Sequence, residues 1–176
     1  MPNPPPCLCA SSCDASRREF IKRGAGTVSA GVAYAMGSTG AVAADAKAAP
    51  APVVDVAPVD ALKEHGTLAF NYPDVNSPAL LLRLPQAAPG GVGPGSSIVA
   101  FSSLCTHKGC PVSYRAQHKL LVCPCHWSTF DPGKKGQLVV GQASQALPQI
   151  ELRLKDKMVQ AVGIQGLIYG RHTNIV

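Results

Sequence analysis

The 176 residues include 17 Gly and 16 Pro, and 46% of the residues are hydrophobic while only 5% are aromatic. This length suits one compact domain with an appendage, and the Gly and Pro content favours short strands joined by turns over long helices. The net charge of +6 comes partly from basic residues near the N-terminus. The other basic residues are not interleaved with aromatic ones, which argues against nucleic-acid binding.

The first recognisable segment is an export signal. Residues 16–22 read SRREFIK, the form of a twin-arginine signal built on Arg17 and Arg18. A weakly apolar stretch at 24–44, rich in Gly and Ala, follows it and contains a small-residue cleavage site. We therefore expect residues 1–43 to be a signal peptide that sends an already folded protein to the periplasm.

Two alternatives to this signal stay open. The basic segment suits the general secretory route as well, and the stretch at 24–44 could remain uncleaved as a membrane anchor, although it is barely hydrophobic. If the signal is removed, we expect membrane association to be at most peripheral. We assign no function to Cys7, Cys9 and Cys13, which precede the arginines.

The remainder of the chain predicts an all-β fold. Residues 44–61 are rich in Ala and Pro and predict a linker or an arm, so that the folded domain is expected at 62–176. Residues 86–97 contain too much Gly and Pro for a regular element and predict an exposed loop. Short apolar runs bounded by turn residues predict strands of an antiparallel sandwich or barrel at 67–72, 79–84, 97–101, 119–122, 137–140, 150–154 and 158–162.

Two short motifs carry the metal chemistry. A C-x-H pair, Cys105 and His107, is followed after fifteen residues by a C-x-x-H pair, Cys123 and His126. Two thiolates and two imidazoles bind either tetrahedral zinc or a 2Fe-2S cluster with the thiolates on one iron and the imidazoles on the other.

One extra cysteine in each motif distinguishes the zinc site from the iron–sulfur site. Cys110 and Cys125 lie where a disulfide could tie the two ligand loops together, and zinc knuckles rarely carry such a pair. An exported protein reaches a compartment where that disulfide can form. The combination favours the iron–sulfur cluster.

The sequences CTHKGC and CPCH resemble the signature of the Rieske family. The resemblance implies an antiparallel β-sandwich or barrel with an inserted cluster-binding subdomain, which holds one 2Fe-2S cluster on Cys105, His107, Cys123 and His126. It also implies the disulfide between Cys110 and Cys125.

Several segments beyond the signature resemble the small subunit of arsenite oxidase: HWSTFDP at 126–132, GQ at 136–137, GQA at 141–143, LP at 147–148 and GLIYGR at 166–171. That resemblance implies a large catalytic partner with molybdopterin and a 3Fe-4S cluster, and a periplasmic cytochrome c or cupredoxin as electron acceptor. The chain would be the non-catalytic electron-transfer subunit, since no catalytic motif is recognisable. The alternative is a membrane-anchored Rieske subunit of a quinol-oxidising cytochrome bc-type complex.

Two residues after the second motif are expected to tune the cluster. In quinol-oxidising relatives, Ser and Tyr donate hydrogen bonds to cluster or ligand sulfur at the positions of Ser128 and Phe130. This chain keeps the first donor and lacks the second. Trp127 also departs from the Gly usual in those relatives. We expect no metal on the remaining histidines, His65, His118 and His172.

Overall fold

The computed structural model describes residues 51–174, which form antiparallel strands and single turns of 3-10 helix. None of the helices in this part of the chain is long and apolar enough to cross a membrane. The strands are β1 (Val54–Pro58), β2 (Thr67–Asn71), β3 (Pro78–Arg83), β4 (Ile98–Ser102), β5 (Ser113–Arg115), β6 (Leu120–Val122), β7 (Thr129–Asp131), β8 (Gln137–Val140), β9 (Gln149–Lys155) and β10 (Met158–Gln165); the 3-10 turns are Val59–Ala61, Pro94–Ser96 and Pro132–Lys134.

The strands form two sheets. Six of them pair in the order β1-β10-β9-β4-β3-β2 and make the base of the domain. The other four, β5-β6-β7-β8, form a smaller sheet that is inserted in the chain between β4 and β9. We call residues 103–148 the cluster-binding subdomain. The predicted all-β fold with an inserted subdomain is confirmed.

Burial on both faces explains the apolar runs of the two central strands β3 and β4. Successive side chains of a strand point to opposite faces. Leu81 and Ile98 pack in the core of the base, while their neighbours Leu82 and Val99 pack in a second core with residues of the cluster-binding subdomain. All five residues of β4 are buried. The base therefore provides the floor on which the subdomain rests.

The expected linker is shorter than the sequence indicated. Residues 54–58, placed in the linker at 44–61, form strand β1, which pairs with β10. Ala57, Val59 and Leu62 are buried in the core of the base. Val54, Val56 and Ala57 pack on the core of the base, and an irregularity in the pairing between Asp55 and Ala57 interrupts the alternation that indicates a strand. The predicted signal at 1–43, including Arg17 and Arg18, lies outside the described residues, as does the stretch at 24–44 considered as a membrane anchor.

The Gly- and Pro-rich segment at 86–97 is mostly irregular, as expected. It contains the 3-10 turn Pro94–Ser96 and an isolated bridge between Val92 and Ile98. The segment is not wholly exposed, because Ala88 is buried in the core shared with the cluster-binding subdomain.

Candidate metal centre

The two metal-binding motifs lie on two loops of the same construction. In loop 1 (residues 105–110) the N–H of Cys105 donates to the carbonyl of Cys110 at 2.8 Å, and the N–H of Gly109 donates to the carbonyl of Cys105 at 2.8 Å. In loop 2 (residues 123–128) the N–H of Cys123 donates to the carbonyl of Ser128 at 2.9 Å, and the N–H of Trp127 donates to the carbonyl of Cys123 at 3.1 Å. Each loop is therefore closed on itself by the same pair of backbone hydrogen bonds.

The fifth residue of each loop has a left-handed backbone. Gly109 has φ +73° and Trp127 has φ +60°. Glycine adopts this conformation without steric cost, whereas a side chain makes it unfavourable. Trp127 nevertheless holds it, and its indole is 71% exposed beside His126. The spacing of the motifs therefore does not predict that the two loops share this left-handed fifth residue and the same backbone hydrogen bonds.

The two loops are joined by a disulfide between Cys110 and Cys125. The sulfur atoms of Cys110, Cys123 and Cys125 lie within 4.8 Å of one another. Two of them are bonded to each other, so of these three only Cys123 offers a thiolate to a metal. The disulfide thus lies beside the free thiol of Cys123, a predicted metal ligand, and cross-links the loops there.

The free thiols of Cys105 and Cys123 are buried, each 1% exposed. Burial raises the pKa of the Cys105 thiol, and the adjacent Cys123 thiol raises it further. The backbone N–H of His107 and the hydroxyl of Ser128 donate toward Cys105 and partly oppose this rise in pKa. Two buried thiols in contact are suitable ligands for one metal ion, which displaces their protons when it binds.

The imidazoles of His107 and His126 meet on the outer side of the loops. Their Nδ1 atoms are 3.2 Å apart, and their ring planes are inclined at 86°. His107 is half-buried and His126 is exposed. Two nitrogen donors therefore lie close together near the surface, whereas the two sulfur donors are buried.

Ser128 connects loop 2 to the segment that follows β8. Its side chain is fully buried, and its hydroxyl oxygen accepts from the N–H of Ala143 at 3.1 Å. This bond leaves the hydroxyl proton free to point at the sulfur of Cys105. Phe130 is also fully buried, in the same core as both thiols, and has no hydroxyl to donate.

The donor set matches a Rieske cluster, which needs two thiolates on one iron and two imidazoles on the other. Of the other histidines, His118 and His172 are exposed, and His65 is half-buried with Nδ1 3.4 Å from the Tyr114 hydroxyl. Within residues 51–174, the one group of three potential ligands in mutual reach is Cys110, Cys123 and Cys125, so it includes none of these three histidines and also none of Cys105, His107 and His126.

Comparison with known proteins distinguishes zinc from an iron–sulfur cluster. The family described as the Rieske 2Fe-2S domain matches residues 53–151. The chain belongs to the Rieske family. As a Rieske protein it carries one 2Fe-2S cluster and acts in electron transfer, so the zinc interpretation is wrong. The family match begins at residue 53, which agrees with the position of β1 in the base.

The chain is similar to three further proteins of this family. It is 40% identical over 164 residues to the iodate reductase subunit IdrB of Denitromonas iodatirespirans, covering 90% of this chain and 86% of that protein. It is 44% identical over 68 residues to the cytochrome bc1 complex Rieske iron-sulfur subunit of Streptomyces lividans, covering 38% of this chain and 40% of that protein. The soluble domain of Rieske protein II (soxF) from Sulfolobus acidocaldarius superposes with a TM-score of 0.55 at 27% identity, covering 64% of this chain and 78% of that chain.

Proposed function

We propose that Cys105 and Cys123 hold one iron of the cluster and that His107 and His126 hold the other. The observation that carries this assignment is a pair of buried thiols and a pair of imidazole Nδ1 atoms 3.2 Å apart, on two loops joined by a disulfide. When bound, the cluster accepts and returns a single electron, within roughly −150 to +300 mV for Rieske centres. The exposed His126 and half-buried His107 provide the short path from the cluster to a partner.

We further propose that the chain is the electron-transfer subunit of a heteromeric oxidoreductase and that a larger molybdopterin subunit with a 3Fe-4S cluster carries out the substrate chemistry. Similarity over 86% of an iodate reductase subunit supports iodate as substrate. The motifs at 126–132 and 166–171, which resemble arsenite oxidase, support arsenite. The two substrates imply opposite electron flow, because arsenite donates electrons and iodate accepts them.

Direct observation of the cluster in the purified complex distinguishes these substrates. A reduced Rieske cluster is paramagnetic, so its EPR signal reports the electron. If the complex oxidises arsenite, adding arsenite to the oxidised complex produces the signal, and a cytochrome c or cupredoxin removes it. If the complex reduces iodate, iodate abolishes the signal of the prereduced complex. A cytochrome b as co-purifying partner, with neither response, would instead favour the quinol-oxidising alternative, whose relative matches only 38% of the chain.

We propose a periplasmic location, reached in the folded state through the twin-arginine signal. Export after folding allows the cluster to be inserted in the cytoplasm. Changing Arg17→Lys together with Arg18→Lys should retain the cluster-loaded protein in the cytoplasm, as measured by fractionation and immunoblotting. The single change Arg23→Lys, which makes the same replacement just outside the motif at 16–22, is the matched control. Normal periplasmic levels of the double variant would overturn this proposal.

A further inference from the structure

The segment at 166–174, which follows β10, is folded against the base. The side chain of Asn174 accepts from the N–H of Ile168 at 3.1 Å and donates to the carbonyl of Gly166 at 2.6 Å. These bonds close the segment into a compact loop around the buried side chain of Ile168. We call it the C-terminal loop.

An ion pair fixes the far side of this loop. The guanidinium of Arg171 pairs with the carboxylate of Asp74 in the turn between β2 and β3. The hydrogen bond from Arg171 lowers the pKa of Asp74. Asp74 also accepts from the N–H of Asn76 at 2.9 Å, which orders its own turn. The C-terminal loop is thus attached to the base at two places, through β10 and through Arg171.

Tyr169 extends from the C-terminal loop onto loop 1 of the metal centre. A Cβ atom added at Gly109 would lie 2.6 Å from both Cδ1 and Cε1 of Tyr169. The phenol ring therefore occupies the space that any side chain at Gly109 would need. Because Gly109 is also left-handed, two separate constraints require glycine there.

The position of this contact gives it a role at the metal centre. Gly109 lies between His107 and Cys110, and its N–H closes loop 1 onto Cys105. The rest of the loop is attached by the disulfide of Cys110 and by the Thr106 hydroxyl, which donates to the carbonyl of Gln145 at 2.9 Å. Gln145 belongs to an irregular segment, whereas the C-terminal loop is tied to the base.

An aromatic ring also lies at the fifth position of each loop, although the ring at loop 1 comes from another segment. The fifth residue of loop 2 provides its own ring, that of Trp127, while the fifth residue of loop 1 is covered by the ring of Tyr169. Tyr169 is 39% exposed, so half or more of its surface is engaged in packing. The Tyr169 ring is therefore packed on loop 1 at Gly109.

We propose that Tyr169 is a positioning residue for the metal centre. Its ring, held by the C-terminal loop, fixes Gly109 and through it the backbone that orients His107. This inference rests on the proposed ligand set and extends the centre to a residue 60 positions along the chain from Gly109.

Tyr169→Ala tests the proposal in the full, cluster-loaded protein. We expect a chelator to extract iron on the order of tenfold faster, the change produced by losing one to two kcal/mol of loop stabilisation. We also expect shifted or broadened EPR g-values, because the orientation of the His107 imidazole becomes less uniform. Tyr169→Phe keeps the ring and should behave like the parent protein. Leu167→Ala is the matched control, since Leu167 lies in the same loop and is 44% exposed.

A second pair of variants probes the contact itself. Gly109→Ala should accelerate iron loss because the new Cβ meets the Tyr169 ring. The double variant Gly109→Ala with Tyr169→Ala should release iron no faster than Gly109→Ala alone, since contacting residues are not additive.

Unchanged iron release and g-values in Tyr169→Ala, relative to Leu167→Ala, would overturn the positioning role while leaving the cluster assignment intact. Multiplicative effects in the double variant would also count against the contact. A parent protein that shows no Rieske EPR signal after reduction would instead overturn the proposed ligand set.

Discussion

Different interactions stabilise the base and the cluster-binding subdomain. Strands of five to eight residues build the base around an apolar core. The strands of the cluster-binding subdomain have only three or four residues, and its ligand loops depend on a disulfide, on polar contacts such as that between Ser128 and Ala143, and on the metal. Burial of apolar area scales with strand length, so the small sheet needs cross-links that the base does not.

The largest effect expected from this difference follows removal of a metal ligand. Cys123→Ser replaces a buried thiolate donor by a hydroxyl, and we expect complete loss of the 2Fe-2S absorbance. The base should keep its β-sheet circular dichroism, because Cys123 belongs to the core shared with the subdomain and not to the core of the base. His118→Ala, an exposed histidine, is the matched control. A cluster retained at full occupancy in Cys123→Ser would contradict the ligand assignment.

A cavity in the core of the base should have the opposite consequence. Leu81 is fully buried on the side of β3 that faces away from the cluster-binding subdomain. Leu81→Ala should lower the free energy of unfolding by about 3 kcal/mol, from the lost transfer energy and the cavity left behind. Urea unfolding measures this change, and the EPR spectrum of the folded protein should stay as in the parent. A changed spectrum would mean that the two regions are more strongly coupled than their separate cores indicate.

The same difference explains how much of the fold could be predicted from the sequence. Strands β3 and β4 were predicted because burial on both faces leaves long apolar runs. Strands β5 (SYR) and β7 (TFD) were missed because neither is a run of apolar residues, whereas their partner β6 (LLV) is one. Pairing with β6 defines both strands. Strand β1 was missed because its pairing with β10 joins residues about a hundred positions apart.

The sequence predicts the proposed donors of the metal centre and the disulfide beside them, but not the other contacts that support the loops. Residue type and spacing point to Cys105, His107 and their partners, because the chemistry lies in the side chains themselves. The bond from Ala143 to Ser128 and the packing of Tyr169 on Gly109 join segments that are distant in the chain. No local pattern indicates such contacts, which are known only once the chain is folded.

Removing the disulfide should affect the cluster-binding subdomain more than the base. Cys110 and Cys125 are 15 positions apart, and closing such a loop stabilises a protein by about 3 kcal/mol in the chain-entropy model. Cys110→Ser should still assemble the cluster but lose it faster on heating, as followed by visible absorbance. The unfolding of the base, followed by circular dichroism of the apoprotein, should change less. Two free thiols at these positions in the alkylated parent protein, detected by mass spectrometry, would remove the basis of this prediction.

The smallest expected effect concerns the reduction potential and involves two buried residues of the subdomain. The hydroxyl of Ser128 accepts from Ala143 and so directs its proton toward Cys105. A hydrogen bond to sulfur stabilises the more negative, reduced state of the cluster, and hydrogen bonds to charged groups are worth about 1.5 to 3 kcal/mol. Only the difference between the two redox states counts, so the shift should be on the order of tens of millivolts. Ser128→Ala should therefore lower the potential.

Phe130→Tyr adds a hydroxyl to a side chain that lies in the same core as both thiols. If the new hydroxyl donates to a cluster or ligand sulfur, as in quinol-oxidising relatives, the potential should rise by a comparable amount. Protein-film voltammetry measures both variants, and Thr129→Val, a half-buried neighbour whose hydroxyl donates to the carbonyl of Trp127, is the matched control. Since Phe130 is fully buried, a new hydroxyl that finds no acceptor would destabilise the subdomain. An unchanged or lowered potential with an intact spectrum would show that Phe130 does not occupy the position of that Tyr and that this account of the tuning is wrong.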